Sequence, residues 1–136
     1  MERRTRRTRQ FSLVYETLKA STAHPTAEKI FSEVRKSLPK ISLGTVYRNL
    51  GVLKERGLII EIPGPDHTMH YDANLTPHAH FICENCAAII DVWDCRRPSC
   101  RDRDVQLEGA EIHSWSIEFK GLCPNCSRKT ALSETN

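Results

Sequence analysis

The chain has 136 residues, of which 39% are hydrophobic and 27% charged, a composition typical of one ordinary globular domain or two small ones. No run approaches the ~18 apolar residues that a membrane span requires, and the arginine-rich start is unlike a secretory signal. The formal charge of +3 hides an asymmetry, since residues 1–60 carry 13 Lys and Arg against 5 Asp and Glu, whereas residues 61–136 carry 7 against 12. This division of charge is typical of a nucleic-acid-binding domain joined to a sensor domain, although a charged surface that binds no partner is equally consistent with the charges.

The first predicted element is a helix over residues 10–20. Phe11, Val14 and Leu18 recur there at helical spacing and form one apolar face. Five arginines precede Gln10. We expect them to contact phosphates, which adds affinity without sequence information, but an unstructured solubilising tail is an alternative.

Two further helices follow, each with a predicted N-cap. Thr26 caps the second helix, which Pro39 ends, and Ser42 caps the third, which Gly57 ends. The apolar faces consist of Ile30, Phe31, Val34 and Leu38 in the second helix, and of Val46, Leu50 and Leu53 in the third.

A hairpin comes next, with a strand over residues 58–62, a turn over 63–66 and a returning strand over 68–72. Three helices followed by a hairpin is the order of a winged helix-turn-helix, whose third helix enters the major groove. Candidate DNA-binding residues on or near the face opposite its apolar stripe are Thr45, Tyr47 and Arg48.

Two of these side chains suit base or phosphate contacts. Arg48 can donate hydrogen bonds to phosphates or to the edge of a guanine base, and Tyr47 can pack on the methyl group of a thymine. The position of Tyr47 on the helix also allows a half-buried core residue.

The second half holds two Cys-x-x-Cys pairs, Cys83/Cys86 and Cys123/Cys126. Four thiols in two close pairs suit a structural Zn(II) site with tetrahedral geometry. Disulfides or a redox dithiol are the alternatives. We expect a cytoplasmic location, where thiols stay reduced, and therefore favour zinc.

A second set of candidate ligands combines imidazole nitrogens with carboxylate oxygens, which are harder donors than thiolates and suit Fe(II) or Mn(II). Its members are His24, Asp72, His78, His80 and Asp91. His78 and His80 are two residues apart, so in an extended segment both side chains point to the same side. His24 precedes the second helix and Asp72 ends the hairpin, so an ion bound to all five would tie the two halves together. Taken singly, each residue could be an ordinary loop or strand-edge residue.

The remaining features are weaker. Cys95 and Cys100 could form a reversible disulfide or be free thiols, and His67, His70 and His113 are interpreted as surface residues or residues that support the ligands. The pattern also predicts a short helix over residues 101–107, a strand over 111–119 and a disordered tail from residue 127 onward.

Three motifs resemble the ferric uptake regulator (Fur) family, and the likeness extends over residues 10–126: His24-Pro25-Thr26-Ala27-Glu28, Ile41-Ser42-Leu43-Gly44-Thr45-Val46-Tyr47-Arg48-Asn49-Leu50, and His78-x-His80-x-x-Cys83-x-x-Cys86. The resemblance implies an α+β fold, with an N-terminal winged helix-turn-helix over residues 1–73 and a small α/β dimerisation domain over 74–136. It also implies a homodimeric bacterial repressor of A/T-rich inverted-repeat operators. Metal bound at the hinge would set the angle of the DNA-binding heads.

Within the family, the chain resembles the peroxide-responsive branch at all five positions of the regulatory metal site. That likeness implies Fe(II)-dependent oxidation of a ligand histidine, with His24 and His78 as candidates. Iron-responsive members tend to carry glutamates in place of Asp72 and Asp91, so an iron sensor is the alternative. One departure is Ala87, which stands where a glycine commonly follows the second cysteine.

Two alternatives belong to other classes. A zinc-dependent hydrolase or deaminase would use similar ligands, but a deaminase needs a His-x-Glu motif, and His78-Ala79-His80 lacks the glutamate. A zinc-ribbon module that binds only protein is the other. We therefore predict a DNA-binding repressor and no enzymatic activity.

Overall fold

A computed structural model describes residues 2–93, 107–113 and 115–134. The chain divides into two compact units between Thr76 and Pro77, three residues after the boundary that the sequence predicts. Within the described residues, no helix combines the length and apolar character that crossing a membrane would require.

The first unit consists of three helices and a two-stranded sheet: α1 (Glu2–Ala20), α2 (Ala27–Ser37), α3 (Leu43–Glu55), β1 (Ile60–Pro63) and β2 (Met69–Asp72). One apolar core joins these elements, and each predicted helical stripe contributes to it. Its buried members are Val14, Leu18, Ala27, Ile30, Val34, Ile41, Val46, Leu50, Leu53, Ile59 and Tyr71. This is the winged helix-turn-helix order, as predicted.

Helix α1 begins eight residues earlier than predicted, at Glu2 rather than at Gln10. The backbone of the arginine-rich segment is therefore helical, which excludes the alternative of an unstructured tail. Arginine is a good helix former, and neither proline nor glycine occurs before Pro25.

Both predicted N-caps are confirmed. The Thr26 hydroxyl accepts a hydrogen bond from the Lys29 amide at 3.3 Å, and the Ser42 hydroxyl accepts one from the Thr45 amide at 3.1 Å. Each bond satisfies an amide that a helix start leaves without an intrahelical partner.

Helix α3 ends at a glycine in the left-handed region. Gly57 has a φ of +69°, its amide donates to the Lys54 carbonyl at 2.9 Å, and the Leu58 amide donates to Leu53 at 3.0 Å. These two bonds form the Schellman arrangement that satisfies the last carbonyls of a helix. The chain then turns directly into the hairpin.

The hairpin is antiparallel, and its register pairs Ile60 with Asp72 and Pro63 with Met69. The Tyr71 amide donates to the Pro25 carbonyl at 3.0 Å, which holds β2 against the loop before α2. The end of the wing and the loop that carries His24 are thereby neighbours.

The second unit contains a three-stranded sheet and one helix: β3 (Ala79–Cys83), β4 (Ile89–Val92), β5 (Glu118–Gly121) and α4 (Pro124–Glu134). The strand order is β4-β3-β5, in which β3 is antiparallel to β4 and parallel to β5. A buried cluster of Cys83, Cys123 and Cys126 packs against Phe81 and Ala88.

Two sequence predictions for this unit were wrong. Within the predicted strand over residues 111–119, the described residues before Glu118 are not in a strand, because β5 begins at Glu118 and its four residues pair with residues 80–83 of β3. Residues 127–134 of the tail predicted to be disordered belong to α4, which starts with Pro124 at the helix position that tolerates proline best. Cys95, Cys100 and residues 101–106 of the predicted short helix lie outside the described residues.

The glycine that ends α3 gives a test of this local structure. Gly57→Ala should destabilise the protein by about 1 kcal/mol, because alanine is strained at positive φ. Gly51→Ala is the matched control, since Gly51 lies inside α3 with nothing within 4 Å of an added Cβ. It should stabilise by roughly 0.5–1 kcal/mol. Urea unfolding measures both changes, and the same sign for the two variants would contradict the assigned helix end.

Candidate metal centres and nucleic-acid interface

The four predicted zinc ligands lie together in the second unit. Cys83 ends β3 and Cys86 lies in the turn to β4, whereas Cys123 precedes α4 and Cys126 lies in its first turn. All four sulfur atoms lie within 4.8 Å of one another, and those of Cys86 and Cys123 are 3.8 Å apart. Thiolates that surround zinc tetrahedrally at about 2.3 Å lie about 3.8 Å apart, so the cluster fits this ion.

The turn that carries the first pair is tight. The Ala87 amide donates to the Cys83 carbonyl at 3.1 Å, and the Cys83 amide donates to the Ala88 carbonyl at 2.9 Å. Ala87 has a φ of +64°, a left-handed conformation that glycine adopts without strain. Alanine is therefore held in a strained conformation at this position.

The surroundings of the cluster favour a thiolate at one sulfur. Amide hydrogens of Cys86 and Cys123 point at the Cys83 sulfur, and the Cys123 nitrogen lies 3.4 Å from it. They lower the pKa of the Cys83 thiol to about 6. At Cys86 the amide of Ala88 lowers the pKa, but the neighbouring sulfurs and burial outweigh it and raise the pKa to about 11. A divalent cation bound to the cluster would replace the proton that the Cys86 thiol retains.

The first unit holds one imidazole–carboxylate pair. The Nε2 atom of His24 lies 3.3 Å from Oδ2 of Asp72, and both residues are buried. The other carboxylate oxygen of Asp72 accepts a hydrogen bond from the Asn74 amide at 2.9 Å. His24 has a φ of +50°, which turns its side chain within the short loop between α1 and α2.

His70 supports the loop that carries His24. Its Nδ1 atom donates to the His24 carbonyl at 2.8 Å, and an isolated bridge pairs His70 with Thr26. Because His70 and Asp72 both belong to β2, this strand positions the loop and also supplies the carboxylate. The sequence left the role of His70 open, since nothing in the motif indicates a contact with a backbone carbonyl.

The second unit gathers two imidazoles around one carboxylate. The register of β3 and β4 pairs His80 with Asp91. Oδ1 of Asp91 lies 2.8 Å from Nε2 of His78 and 3.5 Å from Nε2 of His80. Both histidine side chains are buried, and their ring centroids are 4.4 Å apart. Imidazole and carboxylate donors in this proportion suit Fe(II) or Mn(II).

Two supporting residues were missed by the sequence reasoning. The indole of Trp93 stacks on the His78 ring, with centroids 4.2 Å apart and planes at 19°. The side-chain amide of Asn85 donates to the Cys126 sulfur at 3.2 Å. The sequence offered a signal for Trp93, because side chains two residues apart in a strand share a face, and Trp93 is two residues beyond Asp91. No signal in the sequence indicates the role of Asn85.

Helix α3 presents two of its three predicted DNA-binding residues to solvent. Arg48 is exposed, and Tyr47 is 46% exposed, so the tyrosine is not a core residue. Thr45 is half-buried, and its hydroxyl lies 2.9 Å from that of Ser42.

A carboxylate on α2 fixes the Tyr47 ring. The Tyr47 hydroxyl donates to the Glu28 carboxylate at 2.9 Å. The pKa of Glu28 is lowered first by the hydrogen bond from the backbone amide of Glu28 itself and then by the one from Tyr47. The same hydrogen bond to the carboxylate raises the pKa of Tyr47. The contact joins the starts of α2 and α3.

A groove beside α1 adds positive charge to the first unit. Arg6, Arg9 and Lys40 line it together with Gln10. Cations grouped in this way suit the phosphates of a nucleic-acid backbone.

Comparison with known proteins agrees with these features. The model of the ferric uptake regulator family matches residues 2–120. The chain belongs to this family. The peroxide operon regulator of Bacillus subtilis is 34% identical over 122 residues, which cover 90% of this chain and 84% of that protein. The peroxide-responsive repressor PerR of Staphylococcus saprophyticus is 32% identical over 122 residues, covering 90% and 82%.

Solved structures show the same fold. The Campylobacter jejuni peroxide stress regulator superposes with a TM-score of 0.72 at 28% identity, covering 92% of this chain and 94% of that one. The Helicobacter pylori ferric uptake regulator, whose structure is described as having three functional metal-binding sites, gives 0.75 at 25% identity and covers 88% and 80%. The predicted α+β fold with an N-terminal DNA-binding domain is confirmed.

Membership of the family decides the class of function. The chain is a metal-dependent transcriptional regulator that binds DNA and is dimeric. It is not an enzyme, so the hydrolase and deaminase alternative is excluded.

Proposed function

We propose that the protein is a peroxide-sensing repressor whose regulatory Fe(II), replaceable by Mn(II), is bound by His24, Asp72, His78, His80 and Asp91. The observation that carries the proposal is an aspartate at each carboxylate position, in contact with the histidines of its own unit. Relatives named as peroxide regulators support it. We expect the homodimer to work in the cytoplasm on an A/T-rich inverted repeat.

One ion bound to all five residues would act as a switch. His24 and Asp72 belong to the first unit, and the other three ligands belong to the second. Such an ion binds one arrangement of the units better than any other, and it shifts the population toward that arrangement by its difference in affinity. The arrangement favoured by the ion is the one that binds the operator.

Peroxide would reverse the switch by destroying a ligand. Oxidation places an oxygen on the imidazole carbon between the two nitrogens of His24 or His78. Both nitrogens then carry hydrogen and offer no in-plane lone pair to a metal. The ion is held less tightly, and the arrangement that binds DNA is no longer favoured.

The four cysteines, we propose, hold a structural zinc that is separate from the sensor. The sulfur spacing and the amide donors around Cys83 suit a closed tetrahedral site. Such a site stabilises the fold and leaves no open position for chemistry, so redox response is assigned to the histidine site.

Loss of one zinc ligand should damage the fold. Structural zinc contributes on the order of 10 kcal/mol in small domains, so Cys123→Ser should lose zinc and dimerisation together. Metal analysis and gel filtration measure both properties, with Cys95→Ser as the matched control that keeps them. A Cys123→Ser protein that remained dimeric with full zinc content would rule out the assignment.

Binding of DNA should depend on the exposed face of α3. Arg48→Ala should weaken operator binding by about 1–3 kcal/mol in a base-selective manner, while metal uptake stays unchanged. Arg35→Ala removes the same charge from the exposed face of α2 and should cost little base selectivity. Mobility shifts on operator variants measure the difference. Unchanged affinity of the Arg48 variant would show that this face does not contact bases.

A peroxide pulse on the iron-loaded protein tests the sensing proposal. Mass spectrometry should find one added oxygen on peptides with His24 or His78, with Fe(II) but not with Mn(II), together with loss of DNA binding. Asp91→Glu is the matched variant, and it should retain metal-dependent DNA binding but lose sensitivity to peroxide.

Two other outcomes would contradict the proposal. Release by oxidation of thiols, with both histidines unmodified, would indicate a thiol switch. Control by iron alone, with no effect of peroxide, would identify an iron sensor.

A further inference from the structure

An exposed tryptophan covers a ligand of the proposed sensor. The indole of Trp93 stacks on the imidazole of His78 with ring centroids 4.2 Å apart and planes inclined by 19°. Trp93 is 55% exposed, whereas the side chain of His78 is 2% exposed. One face of the indole therefore lies on the imidazole, and much of the remaining ring surface is open to solvent.

The strand register makes this contact specific. Ala79 pairs with Val92 across β3 and β4, so the next residues outward, His78 and Trp93, are neighbours. Asp91 lies two residues before Trp93 and contacts Nε2 of His78 at 2.8 Å. The same imidazole is therefore held at its nitrogen by a carboxylate and on its face by an indole.

We propose that Trp93 is a second oxidation site of the sensor, which takes oxygen from peroxide in competition with His78. The inference rests on the proposed function, because it requires iron next to His78. An oxidant generated there meets two stacked rings at van der Waals distance. The indole has the larger electron-rich π-system, and its exposure gives peroxide access.

The chemistry balances with hydrogen peroxide as the sole consumed oxidant. The O–O bond of one peroxide molecule breaks, and one oxygen is released as water. The other oxygen is inserted into a C–H bond of the indole, whose carbon loses two electrons and becomes C–OH. His78 keeps its lone pairs in every molecule in which Trp93 takes the oxygen. Trp93 would therefore set how much peroxide is needed to release the repressor.

The two tryptophans of the chain provide an internal comparison. After a brief peroxide pulse on the iron-loaded full-length protein, peptide mass spectrometry should find one added oxygen on Trp93. The peptide with Trp115, which precedes β5, should gain none, and the Mn(II)-loaded protein should show no gain on either. Equal oxidation of both tryptophans, or oxidation with Mn(II), would show damage by bulk oxidant and overturn the inference.

Trp93→Phe separates stacking from oxidation. Phenylalanine keeps an aromatic ring on His78 but is harder to oxidise, so the fraction of His78 that gains oxygen should rise at the same peroxide dose. Titration with Mn(II) should give unchanged affinity, which shows that the site is intact. Trp93→Leu removes the stacked ring, and His78 oxidation should rise in this variant as well.

The outcomes distinguish this inference from the proposed function. Oxidation of His24 or His78 with Trp93 unmodified, or equal His78 oxidation in wild type and Trp93→Phe, overturns the role of Trp93 alone. Absence of oxidation at all three residues, with the operator still bound after the pulse, overturns both.

Discussion

The approach of four thiols from two segments of the chain is the constraint on which the second unit depends. Cys83 and Cys123 are 40 residues apart in sequence, yet the amide of one donates to the sulfur of the other. A unit of roughly 60 residues buries little apolar surface, and the cysteines themselves make up one of its buried clusters. Parallel pairing of β5 with β3 places Gly121 beside Cys83, which brings the second cysteine pair to the first. The zinc ion proposed for these thiols would add the stability that a larger apolar core provides in bigger domains.

Strand β3 connects the four-cysteine cluster with two histidines proposed as ligands of the regulatory metal. It ends at Cys83, it contains His80, and it is preceded directly by His78. In the first unit β2 has the corresponding role, because it supplies Asp72 and holds the loop of His24 through His70. Each set of candidate ligands thus includes residues of a strand that is paired along both edges: β3 with β4 and β5, and β2 with β1 and, through an isolated bridge, with Thr26. This pairing suits ligands that must keep their geometry when the metal binds and dissociates.

Local rules predicted the first unit well. The caps at Thr26 and Ser42, the left-handed end at Gly57 and the hairpin all depend on a few consecutive residues, so the sequence contains the necessary information. The failures have other causes. Helix α1 was predicted too short because its first turns lack an apolar stripe, and the strand before Gly121 was predicted too long because alternation does not reveal where a partner strand ends. Helix α4 was missed since its polar residues have no helical hydrophobic pattern, although they form a helix after the second cysteine pair.

The sequence by itself determined which chemistry the protein has available. Cysteine spacing indicates a soft four-sulfur site, and the histidines and aspartates indicate a harder mixed site, because ligand preference is a property of the side chains themselves. Only the tertiary structure decided which groups touch. It places one oxygen of Asp91 against two imidazoles, the Tyr47 hydroxyl on Glu28, and the Trp93 indole on His78. These contacts join residues from different elements. They follow from strand register and helix packing, which no short stretch of sequence specifies.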